Sequence, residues 1–195
     1  MPADTKDRIV EAGAELFQRQ GFAGTGIKQI LASAQAPFSS LYHFFPGGKD
    51  ELGAAAIKVS GTRYQQLVEA VFDAAPDIER GVRDCFEGAA DTLRATDYAD
   101  ACPIATVALE VASVNEPLRI ATAEVFDAWI VSATQRFRAA GITPKRSRHL
   151  ALTTIMLLEG AFVLARALRS TEPLESAGAT ALAETRAALA ARRRA

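Results

Sequence analysis

The 195-residue chain is 49% hydrophobic and 23% charged, a composition that allows a buried core and argues against disorder outside its ends. Its 22 basic and 23 acidic residues give a formal net charge of −1, so overall charge does not indicate a nucleic-acid partner. Any binding of DNA must therefore depend on a local arrangement of basic side chains.

The sequence gives no sign of export or of a disulfide framework. The segment Met1–Thr5 lacks the basic and apolar regions of a signal peptide, and Cys85 and Cys102 do not form a C-x-x-C pair. The most apolar stretch, residues 150–168, contains two charged residues, which favours a buried helix over a membrane span. We therefore expect a cytoplasmic protein with no membrane partner.

Helical periodicity dominates the chain, and no convincing run of the alternating strand pattern occurs, so the predicted fold class is all-α. The first helix should begin at Asp4 or Thr5 and end before Gly21, a residue that suits a C-terminal cap with positive φ. A second, short helix should start at Thr25. A third should have Pro37 in its first turn, where the missing N–H costs nothing.

Longer helices are predicted for the remainder of the chain. Prolines stand near the starts of several of them, and Gly141 stands just past the end of one, which is the usual asymmetry of helix ends. The predicted helices cover residues 49–74, 78–94, 103–113, 117–140, 144–170 and 174–193.

The most informative segment is residues 25–52, where two short helices joined by Ala34–Ala36 form a predicted helix-turn-helix. The second helix of such a motif can enter the major groove of DNA. The sequence thus predicts a DNA-binding domain in residues 1–52, followed by a helical domain in residues 53–195.

Charge within the N-terminal region is unevenly distributed. Between Glu15 and Asp50 the chain has no acidic residue, while Arg19, Lys28 and Lys49 are basic. Such a cationic strip on a neutral protein suits phosphate contact, and Lys28 is counted among the candidate DNA-binding residues. The lysine at position 49 begins the next helix, where free backbone N–H groups could bind a further phosphate.

The third helix is predicted to expose side chains that would be wasteful on an inert surface. Leu41 and Phe45 give this helix its apolar side. The side chains left facing solvent are Phe38, Ser39, Tyr42 and His43. Tyr and His can donate hydrogen bonds to phosphate oxygens, Ser can reach base edges, and Phe can pack on a thymine methyl. For His43 the alternative is a merely solvated helix end.

These segments carry a family resemblance. AGAELFQRQGFAGTGIKQIL, followed by a short turn and then SSLYHFF with a lysine soon after, resembles the DNA-binding domain of the tetracycline-repressor (TetR) family. SLYHFFPGGKDEL is most similar to the LmrA/YxaF-like branch, which has Pro-Gly-Gly before that lysine. ACPIATVALEVA and LEGAFVLARALRSTEPL are similar to the same branch, so the resemblance covers most of the chain.

The resemblance implies a dimeric repressor with an N-terminal three-helix helix-turn-helix domain and a helical effector-binding and dimerisation domain in residues 53–195. Its implied partners are double-stranded operator DNA and a small-molecule effector that releases the DNA. It implies phosphate contacts from Thr25, Tyr42, Lys49 and His43, and base-facing positions at Phe38, Ser39 and Ser40.

Two departures from the family pattern favour a competing hypothesis. Gln35 stands where the turn usually has Gly, so the backbone must either avoid positive φ or accept a modest penalty. Phe38 stands where the branch usually has a basic residue. The alternative function is a helical small-molecule sensor or interaction protein that has lost operator binding.

The predicted body offers candidate linings for an effector pocket, although ordinary core packing is the alternative for each of them. They are Phe86, Cys102, Phe126, Trp129, Met156, Glu159 and Phe162. A lining of this kind favours an apolar or aromatic ligand. Glu159 shares a helical face with Arg166, and its carboxylate needs a partner, either Arg166 across a dimer seam or a ligand in the pocket.

The helices near residues 150–168 and 174–189 are the predicted dimer surface, as the four-helix bundle of the family implies. Leu158 and Val163 are candidate positions in that seam. The terminal run Arg192–Arg194 is interpreted as a solvated end and not as a second DNA contact.

Enzyme motifs do not occur in this sequence. It has no nucleophile elbow, zinc motif or dinucleotide-binding glycine pattern, and His43 and His149 have no evident catalytic neighbours. Gly48-Lys49 does not complete a P-loop, because position 50 is Asp instead of Ser or Thr. We therefore expect neither enzymatic activity nor a metal or cofactor.

Overall fold

The structure is a computed structural model that describes residues 4–100 and 102–192. Over these residues it contains only helices as regular secondary structure, which confirms the predicted all-α class. In chain order the helices are α1 (Thr5–Gln20), α2 (Ile27–Ser33), α3 (Ser39–Phe44), α4 (Gly48–Ala74), α5 (Ile78–Ala95), α6 (Pro103–Val111), α7 (Glu116–Ala139), α8 (Pro144–Leu168) and α9 (Glu172–Arg192). The predicted bounds of these helices agree with the observed ones to within two residues. Arg193 and Arg194, which complete the C-terminal arginine run, lie outside the described residues.

Most local signals at the helix ends behave as predicted, but Pro37 lies two residues before α3 and not in its first turn. Gly21 has φ of 76°, and its N–H donates to the carbonyl of Phe17 at 2.9 Å, ending α1. Gly141 has φ of 85° just past α7. Pro103 and Pro144 are the first residues of α6 and α8, where a missing N–H leaves no bond unmade.

Among the described residues, one compact unit comprises residues 4–64 together with Cys102–Val125, so α6 and the start of α7 pack with the helix-turn-helix. The apolar side that Leu41 and Phe45 give to α3 is buried, as predicted. In α2, Ile30 and Leu31 are buried and Ile27 is half-buried. The core of this unit includes Ile9, Phe17, Ile30, Leu31, Leu41, Phe45, Leu52, Ile104 and Leu118. Each such side chain contributes about 1.5–3 kcal/mol by leaving water, which holds α3 firmly on its support.

Among the described residues, the second compact unit comprises residues 65–100 and 126–192. In it α9 packs against both α5 and α8. Gly178 allows the close approach of α9 to α5, since an added Cβ would lie 2.9 Å from the Cβ of Phe86. The first compact unit thus extends beyond residue 52. A boundary between a DNA-binding and an effector-binding domain at residue 52 stays a prediction.

Among the described residues one helix, α8, is long and apolar enough to cross a membrane by length and composition alone. Its inner face, including Leu158 and Phe162, is buried within the second unit. Its outer face carries exposed apolar side chains, among them Met156 and Val163. The prediction of a buried helix is therefore confirmed for one face only.

Candidate nucleic-acid interface

The turn between α2 and α3 contains a residue in the left-handed region. Gln35 has φ of 50°, so the backbone accepts the penalty that a non-glycine residue carries there, about 1 kcal/mol. The N–H of Ala36 donates to the carbonyl of Leu31 at 2.9 Å, and Nε of Arg8 donates to the carbonyl of Ala34 at 3.1 Å. The turn is thus stabilised by a hydrogen bond within its own backbone and by a second one from α1.

The outer face of α3 exposes two aromatic rings. Phe38 is 54% exposed and Tyr42 is 55% exposed, and their ring centroids lie 6.2 Å apart in an edge-on arrangement. Ser39 and His43 are also exposed, and Ser40 is half-buried. Because Leu41 and Phe45 are buried, the opposite face of α3 points to solvent. The prediction that this face is exposed is therefore confirmed. Its contact with DNA stays a prediction.

A tight turn joins α3 to α4. Gly48 has φ of 68°, and its N–H donates to the carbonyl of Phe45 at 2.8 Å. The N–H of Gly47 donates to the carboxylate of Glu51 at 2.8 Å. Because of this turn, Lys49 stands in the first turn of α4, directly after the outer face of α3.

Lys49 is half-buried and reaches back to the loop after α1. Its Nζ donates to the carbonyl oxygen of Phe22 at 2.6 Å and lies 4.2 Å from the centroid of the Phe22 ring. Burial lowers the pKa of Lys49, while the carboxylates of Glu110 and Asp50 act in the opposite direction. The ammonium therefore stabilises the loop in addition to any phosphate contact.

Thr25 does not present its side chain to solvent. It is 1% exposed, and its hydroxyl donates to the carbonyl of Gly21 at 2.7 Å. The phosphate contact implied for Thr25 is therefore corrected: the side chain is part of the packing between α1 and α2. Lys28, one turn further along, is exposed as a phosphate contact requires.

Sequence reasoning missed one basic side chain beside α3. Lys6, in the first turn of α1, is exposed, and its Nζ lies 5.7 Å from the centroid of the Phe45 ring. In the sequence this lysine is only a basic residue at the start of a helix. Its place beside the candidate interface results from the packing of α1 against α3. It adds one positive charge to this surface.

Two protein-family matches show to which family the chain belongs. Residues 9–56 match the bacterial regulatory proteins of the tetR family, and residues 79–180 match the C-terminal domain of LmrA/YxaF-like transcriptional regulators. The chain belongs to the TetR family. It is thus a DNA-binding transcriptional regulator of the LmrA/YxaF-like branch, as its motifs indicated, and its relatives are regulators and not enzymes.

Individual relatives agree with this assignment. YxaF of Bacillus subtilis is 29% identical over 88% of this chain and 90% of its own length. LmrA of the same organism is 28% identical over 88% of this chain and 91% of its own length. An HTH-type transcriptional regulator of Mycobacterium tuberculosis is 33% identical over 87% and 88%.

Solved structures show the same fold. Reduced NemR of Escherichia coli has a TM-score of 0.79 at 22% identity, covering 92% of this chain and 95% of its own. A TetR protein of Rhodobacter sphaeroides has a TM-score of 0.80 at 23% identity, covering 91% and 97%. These likenesses concern the fold alone.

The candidate effector-binding residues do not all come together. Phe86, Trp129 and Phe162 are buried in the second unit, and Phe126 is half-buried with its ring centroid 5.6 Å from that of Trp129. Met156 is 64% exposed on the outer face of α8. Its assignment to the pocket lining is therefore wrong within a single protomer, because the helix turns it away from the core.

Cys102 belongs to the first unit and not to the unit that holds the aromatic residues. It is buried at the start of α6, where its Sγ accepts a hydrogen bond from the N–H of Ala105 at 3.4 Å. The side chain acts as a helix cap, and its assignment to the pocket lining stays a prediction.

The second unit contains a groove of about 500 Å³ between α5 and α9, and Phe86 lies on its wall. The groove is lined by Arg83, Phe86, Glu87, Ala90, Asp91, Arg94, Leu174, Glu175, Gly178, Ala179 and Leu182. Other candidate pocket residues, Trp129 and Phe162 among them, do not line it. Among the described residues no cluster of His, Cys, Asp or Glu could hold a metal ion.

Arg166 contacts the turn after α5. Its Nε donates to the carbonyl of Tyr98 and its Nη2 to the carbonyl of Ala99, both at 3.3 Å. This turn contains two residues with positive φ, so the arginine supports an unusual backbone. The guanidinium is thus engaged within its own chain, and the predicted role of Glu159, in a dimer seam or toward a ligand, stays a prediction.

Proposed function

We propose that this TetR-family regulator is a homodimeric repressor that leaves its operator when a small apolar or aromatic molecule binds the helical body. The observation that carries the DNA-binding part is the outer face of α3. Two half-exposed rings, Phe38 and Tyr42, lie there beside Ser39 and His43, with Lys6 next to the same helix. Exposed aromatic and hydrogen-bonding side chains on a recognition helix suit base edges and phosphates.

Dimerisation is supported by an apolar stripe on the outer face of α8, which a second copy of the chain would cover. The stripe consists of Met156, Gly160, Val163, Leu164 and Leu168. Their spacing follows one helix face, and an added Cβ at Gly160 would meet nothing within 4 Å, so another helix could approach closely there. A second copy also supplies the second recognition helix that operator specificity requires.

Effector binding is proposed for the aromatic interior of the second unit, around Phe86, Trp129 and Phe162. Such side chains line most pockets for apolar ligands. A ligand that binds better to a conformation with wrongly spaced recognition helices must lower operator affinity by linkage. Operator DNA as the partner also places the protein in the cytoplasm.

Operator binding is tested by selecting genomic fragments from the source organism with the full-length protein. The proposal expects enrichment of a two-fold-symmetric site whose half-sites lie one or more helical turns apart. The same protein carrying Ser39→Ala and Tyr42→Ala serves as the control and should lose the enrichment. If no fragment is enriched while apolar compounds still raise the melting temperature, the chain is a sensor without an operator.

Release by an effector is tested on the isolated operator complex. Apolar and aromatic compounds that raise the melting temperature should also dissociate the complex. Trp129→Phe should blunt both effects while leaving ligand-free DNA binding intact, because it keeps an aromatic core residue. Release that depends on zinc or a nucleotide instead would refute the effector class.

A further inference from the structure

Glu110, on α6, lies in the segment ACPIATVALEVA, which has no role in the function proposed above. Its side chain is exposed and reaches the loop between α1 and α2. Its Oε2 accepts a hydrogen bond from the N–H of Ala23 at 2.7 Å. The contact joins residues 87 positions apart, all within the first compact unit.

Gly21 makes room for this carboxylate. A Cβ added at Gly21 would lie 1.8 Å from Oε1 of Glu110, so any side chain at this position would displace the carboxylate. The φ of 76° at Gly21 independently requires glycine. The absence of a side chain at Gly21 therefore allows the carboxylate of Glu110 to contact the loop backbone.

Lys49 holds the other side of the same loop through the carbonyl of Phe22, 2.6 Å from its Nζ. The carboxylate of Glu110 acts electrostatically on this ammonium. Phe22 and Ala23 are thus held between an anion from α6 and a cation from α4. With Asp50, whose carboxylate also acts on this ammonium, the charged groups around the loop before α2 leave no net positive charge there.

The groups engaged by Glu110 are the kind that bind DNA phosphates. A backbone N–H and a lysine ammonium both donate to phosphate oxygens, and a carboxylate oxygen makes the same charge-assisted bond. We propose that Glu110 is a positioning residue that acts as an internal counter-charge: it occupies the Ala23 N–H and neutralises Lys49, and so keeps DNA affinity low. This inference depends on the proposed operator binding.

The competing view is that Glu110 only holds the loop in place. Glu110→Gln separates the two, because the amide oxygen can still accept from the Ala23 N–H while the charge is gone. We expect binding of the full-length dimer to operator and to unrelated DNA to tighten about threefold to tenfold, with a salt slope steeper by up to about 0.9 per protomer. A merely structural role would not change the salt slope.

Glu124→Gln is the matched control. Glu124 lies in the same unit, pairs with Lys58 at 3.2 Å, and its substitution changes the net charge by the same amount. This variant should change affinity less than about twofold, as expected for an exposed pair. A melting curve for each variant verifies that it is folded.

A double variant tests the route through Lys49. In a Lys49→Met background, Glu110→Gln should tighten binding less than about twofold, because the neutralised cation has been removed. Affinity and salt slope of Glu110→Gln equal to those of the Glu124 control, or weaker binding, would overturn the proposal. A wild-type protein that binds no DNA would instead refute operator binding itself, and the inference with it.

Discussion

The ring of Tyr42 lies against the backbone of Gly48: a Cβ added at Gly48 would be 3.6 Å from Cε1 of the ring. Gly48 has φ of 68°, which places the start of α4 directly behind the end of α3. The turn therefore packs against one edge of the ring, while 55% of the residue stays exposed. An exposed hydroxyl on such a ring can donate to a phosphate oxygen.

Tyr42→Phe should weaken binding to operator and to unrelated DNA by a similar factor of about ten, because one hydrogen bond to a charged oxygen is lost. The melting temperature should stay unchanged, since the ring packing against Gly48 is kept. Fluorescence anisotropy titrations on both DNAs measure the effect. Tyr98→Phe, in the second unit, is the control, and an equal effect in both variants would contradict the contact.

Lys28→Ala should make the dependence of log affinity on log salt shallower by about 0.9 per protomer, because one phosphate contact releases about one counterion. The exposed position of Lys28 means that the fold should tolerate the change. Titrations from low to moderate salt give the slope. Lys145→Ala on α8 removes the same charge from the second unit and should leave the slope as it is.

Phe38→Ala and Ser39→Ala should change which base pairs are preferred at one position of each half-site, without changing the salt slope. Both side chains are exposed on α3 and uncharged, so they can contribute base contacts but no counterion release. Selection of bound sequences from a randomised half-site measures the preference. An unchanged preference in both variants would show that α3 is not oriented with this face toward the bases.

Gln35→Gly should raise the free energy of unfolding by about 0.5–1 kcal/mol, because glycine adopts the left-handed conformation without the side-chain penalty. Thermal or urea unfolding measures the change. Gln29→Gly makes the same substitution inside α2 and should lower the free energy of unfolding by about as much. Destabilisation by Gln35→Gly would mean that its side chain makes a compensating contact.

Val163→Arg should convert the dimer to a monomer at micromolar concentration, because it places two charges in the proposed apolar seam. Val163 is 54% exposed in the single chain, so the protomer itself should stay folded. Leu158 is buried, and its substitution would damage the core instead of testing the seam. Sedimentation velocity gives the mass, with the exposed Val114→Arg as control; dimers of Val163→Arg would place the interface elsewhere.

Most of the fold was determined by the local sequence. Helical periodicity, prolines at the first turns of α6 and α8, and glycine after α1 predicted the helices to within two residues. The inward positions of Leu41 and Phe45 also determined which face of α3 is exposed. These features depend on neighbours within one helical turn, so a single segment carries the information.

Contacts between distant segments were decided by tertiary structure alone. Periodicity could not show that Thr25 is buried under α1, that Lys49 reaches Phe22, or that Glu110 reaches the same loop from α6. At Gln35 the sequence left two backbone conformations open, and packing selected positive φ. The physical reason is that these contacts join residues whose separation in space depends on how whole helices pack, a property that no local pattern encodes.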